Sequence, residues 1–184
     1  GLRFMIDNLC THSSYSRKLM LESSMMYDKN SIEKSYAVMK EFYEVVKNDE
    51  NKNIVQSLQF KLCNLKDINH TISRLATSVV IDDIELYEVK SLALLSADVK
   101  NILEKISLDK IIEIPNLDEV VKILDPDGLR IATFYIYDSY SEELASLRNK
   151  LKEKDVYQEE IYNEVMRIED DIRAELSSKL KPYS

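Results

Sequence analysis

His12 and His70 are the only histidines in the sequence, and neither has a carboxylate at metal-ligand spacing. Both therefore read as ordinary surface or core residues. Glu160 and Glu164 stand four apart, as the carboxylates of di-metal helical bundles do, but the Glu-x-x-His pairs that such centres need are missing. They read as a solvated face. Tyr135, Tyr137 and Tyr140 with Arg130 have the types of a base-stacking platform. Alternate tyrosines packing one face of a small hairpin explain them as well, and that reading is preferred. Cys10 and Cys63 have no C-x-x-C spacing and are expected as reduced core residues. No H-E-x-x-H, G-x-S-x-G or Walker-type glycine loop occurs, and with Gly128 as the one internal glycine none can form. The chain is expected to hold no cofactor, to bind no small-molecule substrate and to be no enzyme.

The elements that would position any site are mostly helical. In 184 residues there are two glycines and three prolines, with 45% apolar and 32% charged residues. That composition suits a soluble all-α protein with short loops, long enough to bury a core. No apolar run approaches the roughly 20 residues that span a bilayer, and no signal-peptide pattern opens the chain, so a cytoplasmic protein without a membrane partner is expected. The formal charge of −8 argues against a broad phosphate-gripping surface. Gly1, with no methionine, reads as a cloning remnant on a piece of a longer protein.

Apolar periodicity predicts short helices at about 4–10 and 14–21. A third starts near Ser31, capped by Asn30 or Ser31, with Ala37, Val38, Phe42, Val45 and Val46 inward. Further helices are expected at 54–65, 67–80 and 82–106, the last carrying Leu86, Val89, Leu92, Leu95, Val99 and Ile102. Leu108–Ile114 is ambiguous, and Asn116 can cap a helix to Leu124. "DPDG" at 125–128 is a type I turn signature. The alternation after it predicts a short β-hairpin near 129–138. Ser141 is an N-cap with Glu142 and Glu143 in the first turn. Leu144, Leu147 and Leu151 form one stripe, and Ile161, Val165, Ile168, Ile172, Leu176 and Leu180 a second. The two do not share a phase across 152–160, which leaves a kink and a helix–helix junction both open. A single helix over 141–180 would be roughly 60 Å long and would project from a compact bundle.

"ILDPDGLRIATFYIYDSYSEELASLRNKL" at 123–151, with "IRAELSSKL" at 172–180, resembles the core or lever region of the MutS family. Asp125, Pro126, Asp127 and Gly128 match a D-P-[DE]-G turn. Ser141, Glu143, Leu144, Leu147 and Arg148 match a [ST]-x-[ED]-L-x-x-[IL]-R helix start, and Asp138 with Ser139 precedes it. "LCTHSSYSRKLML" is similar, more loosely, to the segment that opens the same domain. The segment between "LRNKL" and "IRAEL" is longer than the family's, as is "GLRIATFYIYDSYS". The resemblance implies a helical core over 1–140 and an outgoing lever helix over 141–184, which relays change between a DNA-encircling clamp and an ATPase. The clamp would follow Ser184, and ATP and magnesium would bind further on. DNA is then the partner of the full-length protein, which would act as a homodimer. Phe42-Tyr43-Glu44 looks like the mismatch-probing F-Y-E of that family, but it lies on an amphipathic helix and reads as core packing. The competing reading is a helical scaffold or coiled-coil module unrelated to DNA, paired through Ile161–Leu180.

Overall fold

The structure, a computed structural model, describes residues 2–9, 11, 13–153 and 158–183, and among them it is all-α with no strand. The helices are α1 (Leu2–Asp7), α2 (Ser14–Glu22), α3 (Lys29–Lys47), α4 (Lys52–Leu62), α5 (Asn69–Ala76), α6 (Asp83–Lys105), α7 (Asp118–Leu124), α8 (Glu142–Glu153) and α9 (Gln158–Leu180). Short 3-10 turns lie at Asp49–Asn51, Asp138–Tyr140 and Lys181–Tyr183. No helix among the described residues is long and apolar enough to cross a membrane. Cys10 and His12 fall outside the described residues.

Two compact units form, and neither is continuous in sequence. The first comprises 1–67 and 95–116, the second 68–94 and 117–184, so α6 contributes its opening turns to one and its closing turns to the other. In the first unit Leu58 of α4 packs with Val99, Ile102 and Leu103 of α6 and with Ile106 and Leu108 beyond it. Phe42 and Val45 of α3 lean on that cluster. Val38 and Val46, expected beside them, are 45% and 39% exposed. The α3 N-cap is Asp28, whose Oδ2 accepts from the Ser31 amide at 2.8 Å, earlier than the expected Asn30 or Ser31. Cys63 is exposed rather than buried, because it follows the last turn of α4 as its C-cap.

In the second unit α9 is the spine. Val165, Ile168, Ile172, Leu176 and Leu180 are buried against Leu75 of α5, Leu86 and Ala93 of α6, Val120 and Leu124 of α7, and Leu144 of α8. Asp82 and Glu85 open α6 with a reciprocal cap: the Glu85 amide donates to Asp82 Oδ1 at 2.8 Å and the Asp82 amide to Glu85 Oε2 at 3.1 Å. α5 is shorter than expected, ending at Ala76 where Ser78 takes a positive φ of 60°. α7 starts at Asp118 after Leu117, two residues beyond the expected Asn116 cap.

Residues 141–180 are two helices, not one projecting lever. Arg148 of α8 reaches Glu169 of α9 at 2.6 Å across 21 positions, which a straight helix would hold roughly 30 Å apart. α9 therefore folds back on α8, and the stripe 161–180 that could have made an external coiled coil is spent inside the unit. The open choice between kink and junction resolves as a junction, with residues 154–157 outside the described ones.

The hairpin expected at 129–138 does not form. Strand alternation would bury every second residue, yet Phe134, Ile136 and Tyr137 are buried and Tyr135 is exposed. Arg130 takes a positive φ of 50°, which breaks an extended run. A lone two-stranded hairpin is marginal by itself, and here side chains supply the partners that a ladder would have given. Substitution should separate the core from the surface. Leu86→Ala, at a fully buried position, is expected to cost about 2–5 kcal/mol in chemical denaturation. Phe60→Ala, at a 71% exposed one, should stay within about 0.5 kcal/mol of the parent.

Candidate functional site

Asp125 ends α7 and begins the D-P-D-G turn, and the sequence around it dictates where its carboxylate goes. The Asp125 carbonyl accepts from the Gly128 amide at 2.9 Å, closing the turn, and Gly128 takes a φ of +65° that a side chain would resist. That turn brings the chain back so that the Arg130 amide donates to Asp125 Oδ2 at 2.9 Å. Oδ1 faces inward. It accepts from Lys90 Nζ at 3.0 Å and from Tyr137 Oη at 2.9 Å, and Lys90 Nζ also donates to Tyr137 Oη at 3.0 Å.

Lys90 comes from α6, one turn past Leu86 and one turn before Ala93, on the face turned to the core. Its side chain and that of Asp125 are both 0% exposed. A buried ion pair survives only if its remaining valences are met, and no buried side-chain nitrogen or oxygen among the described residues lacks a partner. Burial is the largest influence on Asp125 and alone would raise its carboxyl. Bonds from Lys90, the Arg130 amide and Tyr137 outweigh it and hold the carboxyl below its ordinary 3.8. Burial, again the largest influence, pushes Lys90 down, and its bonds to Tyr137 and Asp125 leave it above 10.5. Tyr137 is raised, chiefly by burial. Lysine, carboxylate and tyrosine are chemically able groups, but a site closed to solvent offers no substrate a path. The cluster is a clasp joining α6, the turn and the 134–137 segment.

A second junction lies one helix on. Ser141 Oγ accepts from the Leu144 amide at 3.2 Å, so the predicted cap is present, and Leu144 is fully buried. Arg148, on the same helix, donates to the Ile136 carbonyl at 2.7 Å, to Asp138 Oδ1 at 2.5 Å and to Glu169 at 2.6 Å. One guanidinium thus ties the 134–138 segment to both helices of the hairpin, using the fork of donors that only arginine presents. Tyr140 Oη donates to the Ile123 carbonyl at 2.7 Å, and burial foremost raises its hydroxyl well above its usual range.

Of the residues singled out in the sequence, Asp125, Gly128, Asp138, Ser141, Leu144, Leu147 and Arg148 build these two junctions, with Leu147 against the core. Pro126, Asp127 and Glu143 are exposed. The tyrosines do pack together, Tyr135 with Tyr137 at 4.3 Å and Tyr137 with Tyr140 at 5.7 Å between ring centres, but around the clasp and not on a hairpin face. No motif in the sequence singles out Lys90 or Glu169. A charge at the inward phase of a helix, between Leu86 and Ala93, was the available signal for Lys90. Glu164 pairs with Arg167, and His70 is exposed on α5. Among the described residues no group of three or more potential ligands could hold a metal.

Comparison of the chain with protein-family models, with curated proteins and with solved structures gives no match in any of the three. The clasp can be tested on stability alone. Lys90→Met strands a buried carboxylate and is expected to cost about 3–5 kcal/mol, whereas Lys90→Met with Asp125→Leu should cost less than the two single changes together. The low Asp125 pKa contributes stability above the unfolded value, lost as pH falls through the folded one. The high Lys90 pKa contributes stability below 10.5, lost as pH rises through its folded value. Urea midpoints of the parent should therefore hold between about pH 5 and 9 and decline on both sides. The double variant should lose less than the parent at either end.

Proposed function

We propose that this chain is the non-catalytic helical core region of a MutS-like, ATP-driven DNA-binding protein, and that it carries conformational change between the DNA-holding and nucleotide-hydrolysing parts. ATP and magnesium belong to the full-length protein, which acts on DNA as a homodimer. One observation carries the reading. Six of the residues that bear the family likeness, Asp125, Gly128, Ser141, Leu144, Leu147 and Arg148, lie at two adjoining junctions of one unit, where the clasp holds the turn and Arg148 holds the hairpin. Coupling between distant sites needs stiff elements held in discrete arrangements, and a helical hairpin rooted by an arginine and a closed ion pair is such an element. The relay in this reading is the α8–α9 hairpin, in place of one long lever.

A helical interaction module is the second reading. It is favoured by the large apolar side chains that α1, α2 and α3 leave exposed, among them Phe4, Leu19, Tyr36 and Tyr43.

The full-length product of the gene separates the two. On the first reading it hydrolyses ATP, and duplex DNA changes the rate. Arg148→Ala then leaves hydrolysis without DNA within about twofold of the parent and cuts the DNA-dependent change by about fivefold or more, the range of ordinary coupling energies. A product that neither hydrolyses ATP nor binds DNA overturns the first reading and leaves the module.

A further inference from the structure

α3 carries two apolar stripes. The inner one, with Phe42 and Val45, leans on the core of its own unit. The outer one runs through Ile32, Tyr36, Met39, Tyr43 and Val46 in steps of four, three, four and three, the heptad rhythm of a helix-pairing seam. It lies roughly a third of a turn round the helix from the inner stripe. Tyr36, Met39, Tyr43 and Val46 are 65%, 56%, 57% and 39% exposed, so much of the seam faces solvent.

We propose that α3 pairs antiparallel with α3 of a second copy of this chain through this seam. The flanking charges select both the partner and the direction. Glu33, Lys40 and Lys47 follow the seam on one side, with the negative charge near the start of the helix and a positive one at its end. Antiparallel pairing sets each Glu33 beside the other copy's Lys47, twice over by the two-fold axis, against a single Lys40–Lys40 repulsion at the centre. Parallel pairing would set Lys40 and Lys47 beside Ser35 and Phe42, which are uncharged, and Glu33 beside the like-charged Asp28, and would form no ion pair. Lys47 already lies over the Tyr43 ring at 5.7 Å, at the edge of the seam. Four or five side chains per copy make a small interface, under about 1,200 Å², so a dimer with a dissociation constant between about 10 μM and 1 mM is expected.

Sedimentation equilibrium of the 184-residue chain tests this without ATP or DNA, so its outcome is independent of the functional reading. The expected result is a mass rising with concentration from 21.4 kDa toward twice that value. Tyr43→Glu should abolish the rise with an unchanged helical circular dichroism spectrum. Glu33→Lys should weaken association about tenfold, and Glu33→Lys with Lys47→Glu should restore it. A monomer at concentrations up to about 1 mM, a dimer that survives Tyr43→Glu, or a charge-swapped chain that stays monomeric would each overturn the proposal.

Discussion

A lysine and an aspartate sealed from water, sharing one tyrosine hydroxyl, set the terms for the rest of the second unit. Charges in that position are tolerated only at full pairing, so the three segments that supply them have one permitted arrangement. Apolar packing alone would let α6, the 125–128 turn and the 134–137 segment slide by a fraction of a turn with little penalty. The ion pair removes that freedom. It also accounts for the turn chemistry: Asp125 must cap the turn with its carbonyl and feed the clasp with its carboxylate, and only a tight turn with a left-handed residue at Gly128 lets one residue do both.

From that fixed point the geometry of the C-terminal region follows. The 134–137 segment, pinned by Tyr137, presents the Ile136 carbonyl and Asp138 to Arg148, and Arg148 in turn selects Glu169 on the returning helix. The hairpin is thus oriented by polar contacts at its root and filled by apolar ones along its length. Two helices joined this way resist bending, because each braces the other along its length.

Much of this was legible in the residues. The bounds of α6, the cap at Ser141 and the turn at 125–128 follow from local rules, and local rules hold where the partner lies within a turn or two. The failures share a cause. Alternation at 129–138 is a local signal for a strand, but the segment's partners are Lys90 and Arg148, distant in sequence and visible only after folding. Lys90 itself was hidden by a stripe read through Leu86, Val89 and Leu92, when the buried face runs through Leu86, Lys90 and Ala93. The type of Cys63 favours burial, but its place at the end of α4 exposes it. The phase break between 151 and 161 is compatible with a kink and with a junction, because periodicity does not tell a bend from a reversal.

The interleaving of the two units has a consequence for how the chain is made. The second unit opens at Ile68, is interrupted by 95–116, and is completed by α9. The Ile81 amide meets Ser177 across 96 positions, and Asp83 meets Arg173 across 90. On a ribosome delivering about 5–20 residues per second, the inner faces of α5 and α6 therefore emerge several seconds before the helix that covers them. Until the last turns of α9 leave the exit tunnel, Leu75, Leu86 and a lone buried-to-be lysine wait in solvent. The lysine keeps that waiting surface from being wholly apolar, which makes the nascent chain less prone to stick to its neighbours than a core of leucines would be.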